Sequence, residues 1–336
     1  MRLPLPPESL PEFPVVSTGT LPPPAEVTTL VDEAFARYAT EKDGTVADYI
    51  PALAAASPDH FGISVTDVTG RTHVTGDADT PFSIQSISKP FVFALVCEVL
   101  GSVAAQEFLG VNSTGLPFDS VMAIELNQDR TGNPMVNAGA IATTSLVPGE
   151  THEARWGFVR DGLSRFAARD LTLDEEVYVS ESATNARNRG IARLLDGYGR
   201  MHGDPDEAVD IYTRQCSLTV TARDLSVMGA TLADGGVNPV TGVRVVDART
   251  CWRVLAVMST AGLYEQTGDW LCEIGLPGKS GVSGGIVTIS PGKGGLGTYS
   301  PPLDRAGNSV RGQLVARFLS DRLGLNIFTS TDANTS

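Results

Sequence analysis

Ser86 and Lys89, within Phe82-Ser-Ile-Gln-Ser-Ile-Ser-Lys89, stand immediately ahead of the apolar run Phe91-Val92-Phe93-Ala94-Leu95-Val96, and Lys279-Ser280-Gly281 lies far downstream. Once the first segment winds into a helix, a hydroxyl and an amine at this spacing point the same way, about one turn apart. That is the geometry of an activated serine nucleophile. A hydroxyl attacks poorly until a neighbouring base accepts its proton, and a lysine is such a base only where its surroundings hold a useful neutral fraction. The apolar run supplies burial, and Lys279 is a candidate second cation pressing in the same direction. Pro90 belongs in the first turn of a helix, where no internal N–H bond is lost, so the helix should begin near Ser86. The hydroxyl then sits at the positive end of the helix dipole, beside backbone N–H groups able to hold an oxyanion. Alone, Ser-x-x-Lys is a weak signal, because a capped surface helix carries the same pattern.

The elements that must position these groups are visible in outline. With 336 residues, 42% of them hydrophobic, the chain can bury a large core in one domain or two subdomains. A formal charge of -14 and a pI near 4.7 exclude nucleic acid and anionic membranes as partners, since either needs a basic face. The apolar runs fall short of a membrane span, and the proline-broken start is no signal peptide, so the expected location is cytoplasmic. Cys97, Cys216, Cys251 and Cys272, like the scattered histidines, show no metal-ligand spacing and read as thiols in a reducing compartment; no metal or organic cofactor is expected. Prolines 4, 6, 7, 11, 14, 22, 23 and 24 mark residues 1–25 as an extended tail. Phe61–Val68 and Arg71–Thr75 around Thr69-Gly70 form a hairpin pattern; Val243–Val246, Gly285–Ser290 and Gly295–Ser300 are further short strands. Between Pro90 and Gly235 the signals are helical, with Asp204-Pro205 a helix start, and Ser309–Leu323 is a closing amphipathic helix. This order predicts an α+β fold whose sheet comes from both ends of the chain, residues 26–89 and 236–330, with a helical subdomain, 90–235, inserted between them.

Other candidates are weaker singly. Lys279-Ser-Gly-Val-Ser-Gly-Gly285 opens a strand whose glycines admit a ligand close to the backbone. Asn137 lies among small residues in Asn133–Ile141, although a loop asparagine more often satisfies backbone. Glu181 and Asn188 would share one face if Ser180–Asn188 is a single helix; a solvated helix start is the plainer reading. Tyr212 and Tyr264 would ordinarily be packing residues.

Taken together, Phe82–Lys89, Asn133–Ile141, Tyr212 with Cys216-Ser217, Lys279–Gly285, Ser300–Asp304 and Gly307–Val310 resemble the serine-dependent glutaminases, in the same order, from about Val27 to Phe328. The resemblance implies the β-lactamase/DD-peptidase-like fold, with residues 26–330 one domain, and hydrolysis of L-glutamine to L-glutamate and ammonia through a γ-glutamyl ester. It implies Ser86 as nucleophile, Lys89 as its activating partner and Tyr264 as a proton relay, with the backbone N–H groups of Ser86 and Val282 as oxyanion hole. Which of Lys89 and Tyr264 is the primary base stays open. Substrate contacts carry over to Tyr49, Gln85, Ser86, Asn137, Glu181, Asn188, Tyr212, Tyr264 and Val282, with Glu181 for the α-ammonium and the amides and a phenol for the α-carboxylate. The expected partners are L-glutamine and copies of the same chain, as dimer or tetramer. Two alternatives differ in testable ways. A penicillin-recognising hydrolase should carry a Ser-x-Asn or Tyr-x-Asn element, which Ser180-Glu-Ser182 is not, and an export signal. A non-catalytic amino-acid binding protein would have lost one of Ser86, Lys89 and Tyr264.

Overall fold

The computed structural model describes residues 19–329. Its helices are α1 (Pro24–Tyr38), α2 (Ser88–Leu100), α3 (Ser102–Phe108), α4 (Met122–Glu125), α5 (Asn137–Ser145), α6 (His152–Ala167), α7 (Glu175–Thr184), α8 (Ala186–Gly197), α9 (Pro205–Cys216), α10 (Ala222–Ala233), α11 (Ala248–Ala261), α12 (Thr267–Glu273) and α13 (Val310–Arg322). The strands are β1 (Gly62–Asp67), β2 (Thr72–Gly76), β3 (Phe82–Ser83), β4 (Thr219–Val220), β5 (Gly278–Ser280), β6 (Gly285–Ser290) and β7 (Gly294–Tyr299). An antiparallel sheet in the order β2-β1-β7-β6-β5 joins the hairpin near the start of the chain to the strands near its end. Helices flank it: α1 and α13 with α12 seal one core, and α10 lies on the sheet within the other. This is an α+β, β-lactamase-like architecture. Among the described residues, no helix is long and apolar enough to cross a membrane.

Two packing features hold the site elements together. Helix α2 is buried from Ser88 through Cys97, so its apolar residues surround the axis instead of forming a stripe. A helix apolar on every side belongs in the middle of a core, and its first turn is carried there with it. On the sheet, β7 lacks side chains where α10 crosses: a Cβ on Gly297 would lie 2.1 Å from the Ala222 carbonyl oxygen, and one on Gly295 2.3 Å from that of Ser226. Ser226 Oγ, drawn in by this approach, meets Ser64 Oγ at 2.8 Å and Thr66 Oγ1 at 2.7 Å in a buried hydroxyl cluster.

The helix starts at Asp204, Thr221 and Ser309 are capped by their own side chains, the second with a reciprocal capping box to Asp224. The expected tail of residues 1–25 falls mostly outside the described residues, and α1 begins at Pro24, its first-turn proline. Two expectations need correction. Val243–Val246 is no strand of the sheet. Arg244 makes an isolated bridge to Val237, and Val245 and Val246 are spent on filling the core, which a short apolar run does as readily as it ladders. Ser86 lies on a 3-10 turn, Gln85–Ile87, that leads into α2, not on α2 itself. The tiny β3–β4 ladder, pairing Ser83 with Thr219, was not legible in the sequence; it ties the approach to Ser86 to the start of α10.

Replacing Gly297 by leucine should cost about 3 kcal/mol, because backbone and not a flexible side chain stands in the way. The melting temperature should then fall by roughly 4 °C; an unchanged melt would show that α10 does not rest on β7 at backbone contact.

Candidate active site

Phe82 and Ser83 are fixed by β4, and the chain then turns sharply: Gln85 has a φ of 50°, a left-handed conformation rare for residues with a side chain. Ser88 Oγ donates to the Gln85 carbonyl at 2.8 Å, and Gln215 Nε2 donates to Ser88 Oγ at 3.3 Å, so buried hydrogen bonds hold the strained turn. Strain kept in place this way concentrates at functional sites. It brings Lys89 Nζ to 2.9 Å from Ser86 Oγ and 2.7 Å from Asn137 Oδ1. Lys89 is 1% exposed. Burial disfavours its charge and lowers its pKa to about 8, against which Cys216, Glu181 and Asp119 pull upward.

Lys279 is not the pressing second cation that the sequence suggested. Its fully buried amine is itself driven well below the ordinary lysine range, first by burial and then by Lys89, whereas burial is what lowers Lys89. Lys279 Nζ donates to the carbonyls of Gly262 and Ser280, both at 2.9 Å, which uses the two N–H bonds of a neutral amine. The amine also lies 4.2 Å from the Tyr264 ring centroid. Tyr264, on a second left-handed turn with a φ of 59°, donates its hydroxyl to the Ser280 carbonyl at 3.1 Å and is in hydrogen-bonding range of the Ser86 side chain. Burial raises its pKa, so the phenol keeps its proton.

Ser86 opens onto a cleft of about 320 Å³ whose walls include Tyr49, Gln85, Asn137, Glu181, Asn188, Tyr212 and Val282. The predicted contact residues other than Tyr264 therefore meet at one cleft, which neither Tyr264 nor Lys89 lines. Asn137 is the hub: its Oδ1 accepts from Lys89 Nζ and, at 3.2 Å, from the Tyr212 hydroxyl, while its Nδ2 donates to Asn188 Oδ1 at 3.0 Å. Glu181 is 8% exposed, and burial raises its carboxyl pKa to about 7 although Gln85 Nε2 donates to it at 3.3 Å. Tyr49 forms the rim, more than half exposed. Val282 and Ile50 join Leu53, Val177 and Leu303 in a small apolar cluster that fastens the rim segment over the strand loop.

Glu181 and Asn188 do not share one helix, as their spacing suggested: α7 ends at Thr184 and α8 begins at Ala186, with Asn185 at the break. Glu181 is also no solvated first-turn carboxylate. It lies late in α7, turned into the cleft. The cleft wall further includes Phe118, Asp119, Asn185 and Arg187, which the sequence reading missed. Phe118 packs on Tyr264, centroids 4.6 Å apart, and Arg187 bonds Asp119 across the mouth. Only Asn185 had a signal available, the four- and three-residue spacing from Glu181 and to Asn188.

Known proteins resemble this chain closely. The glutaminase family profile matches residues 44–328. Glutaminase 2 of Yersinia pestis is 62% identical over 315 residues, 94% of this chain and 93% of the relative. A Brucella canis glutaminase is 52% identical, covering 85% and 90%. Among solved structures, a probable glutaminase, ybaS, superposes with a TM-score of 0.90 at 43% identity over 92% of this chain and all of its own. Mglu in its glutamate form gives 0.87 at 38%, covering 91% and 70%. A probable glutaminase from Bacillus subtilis complexed with 6-diazo-5-oxo-L-norleucine gives 0.79 at 27%, covering 96% and 99%.

A buried amine of pKa about 8 on Ser86 Oγ predicts a serine whose reactivity depends on pH. Labelling of Ser86 by a fluorophosphonate should rise about tenfold per pH unit and level off above the amine's midpoint. Lys89→Met should remove that rise. A flat rate in the wild-type protein would contradict the Ser86–Lys89 pairing.

Proposed function

This chain belongs to the glutaminase family, and on that premise we propose that it hydrolyses L-glutamine to L-glutamate and ammonia through a γ-glutamyl ester on Ser86. The observation that carries this reading is the 2.9 Å contact between Ser86 Oγ and the amine of Lys89, an amine made weakly basic by burial. Two structural relatives add the ligand class: one was crystallised with glutamate, the other with an L-amino acid whose name puts a ketone where glutamine has its carboxamide carbonyl.

Neutral Lys89 takes the Ser86 proton as Oγ attacks the side-chain carbonyl, and the primary base is Lys89 because the Tyr264 phenol holds its proton too firmly. With a pKa near 8, about one Lys89 in ten is neutral at pH 7. The tetrahedral oxyanion is received by the backbone N–H groups of Ser86 and Val282. As it collapses the carbon–nitrogen bond breaks, the proton passes from Lys89 to the leaving nitrogen with Tyr264 as relay, and ammonia departs. Water then attacks the ester and gives its proton to Lys89; as the second tetrahedral intermediate collapses the bond to Ser86 Oγ breaks, Lys89 returns the proton to that oxygen, and glutamate is released. Glu181 receives the α-ammonium, whose arrival restores the charge that burial resists, and Asn188, Tyr49 and Tyr212 face the α-carboxylate. The intact Ser86, Lys89 and Tyr264 set argues against a binding protein without chemistry.

We extend the reading to a homo-oligomer in the cytoplasm. Exposed apolar side chains, among them Val103, Met122 and Leu126, suit contact with further copies, and four free thiols, three of them buried, suit a reducing compartment.

Ser86→Ala should end ammonia release from glutamine while binding persists by calorimetry; wild-type turnover in that variant would refute the mechanism. Glu181→Gln should lower kcat/KM about 10- to 100-fold, the range of a hydrogen bond to a charged group, and mainly through KM. Equal losses with an amide lacking the α-ammonium would move the role elsewhere.

A further inference from the structure

Asn185 stands in the cleft wall at the break between α7 and α8, one helical turn beyond Glu181, and is 7% exposed. Its Nδ2 donates to Thr213 Oγ1 at 3.2 Å. Thr213 has a single hydroxyl proton, and that proton is committed to the Val209 carbonyl at 2.8 Å. Towards Asn185, Thr213 therefore accepts, which fixes the amide with its nitrogen on Thr213 and its oxygen turned away. That Oδ1 is shut off from solvent and has no hydrogen-bond partner. A buried carbonyl left so is destabilising in the free protein, and because its residue lines the cleft, a donor entering there reaches the oxygen once the groups covering it shift aside.

We propose that Asn185 Oδ1 accepts a hydrogen bond from the α-ammonium of the substrate, beside the Glu181 carboxylate, and so sets the preference for amides that carry that group. The proposal rests on the glutaminase reading. An acceptor suits neither the α-carboxylate nor the oxyanion, whereas an ammonium has three N–H bonds to place. Glu181 brings the countercharge, but its Oε2 already accepts from Gln85 Nε2. The neighbouring asparagine has the opposite polarity. Asn188 Oδ1 is taken by Asn137 Nδ2, which leaves Asn188 its amide N–H groups to offer. Along the broken helix the order of groups is thus carboxylate, carbonyl and then amide N–H, matched to the ammonium and carboxylate ends of a zwitterion.

The test compares kcat/KM for L-glutamine with that for 4-carbamoylbutanoate, the same amide without the α-ammonium, in wild-type protein and in Asn185→Ala. The ratio between the two substrates should fall about 10-fold or more, through the KM for glutamine. Asn185→Asp, which keeps an oxygen at the same reach, should hold the ratio within about threefold of wild type. If Asn185→Ala does not fold, Asn185→Ser keeps a helix-start residue but withdraws the oxygen, and it should give the same fall. A loss shared equally by both substrates, or a ratio that does not move, overturns the proposal. A wild-type protein inactive on glutamine would instead remove the reading beneath it, and the inference with it.

Discussion

The site depends on an amine kept out of water. A lysine ammonium is among the costlier groups to bury, and the fold buries two, Lys89 and Lys279, at 1% and 0% exposure. The cost falls if the amine gives up its proton, which is also what the chemistry needs. Lys89 sits on the first turn of a helix apolar on all sides, so no small movement returns it to solvent. Its donors go to Ser86 Oγ and Asn137 Oδ1, both in the cleft wall. The proposed base is thus tied directly to the groups that line the cleft.

Keeping the amine dry imposes demands elsewhere. Two residues with side chains, Gln85 and Tyr264, adopt left-handed backbone conformations, and both border the Ser86–Lys89 pair. The first is held by Ser88 and Gln215, the second by Thr267 Oγ1, which donates to the Tyr264 carbonyl at 2.8 Å. The sheet must also come close enough for Lys279 to reach Gly262 O and Ser280 O, and the side-chain-free β7 lets α10 press against its face.

Much of this was legible because spacing and chemistry pointed the same way. Ser86, Lys89 and Pro90 specify a helix start with a hydroxyl and an amine together, and the hairpin, β6, β7 and α13 follow from turn residues and periodicity within a residue or so. What escaped had no local signal. The two-residue β3–β4 ladder is too short to show a period, and Val245 and Val246 are as apolar in a loop as in a strand. The break at Asn185 hid behind a helical spacing that the backbone abandons after Thr184. Phe118, Asp119 and Arg187 reach the cleft from segments whose placement only tertiary packing decides. Lys279 was found but its action misjudged. Burial pushes the second amine's own pKa well down, and Lys89 pushes it further, a matter of relative burial that sequence does not carry.

The central claim is that Lys89 is a weak base because it is buried. The chain has four lysines, 42, 89, 279 and 293, so ε-carbon-labelled lysine gives a spectrum simple enough to titrate directly. The resonance lost in Lys89→Met should titrate near 8 in the wild-type protein. A midpoint near the ordinary lysine value of about 10.4 would contradict the account.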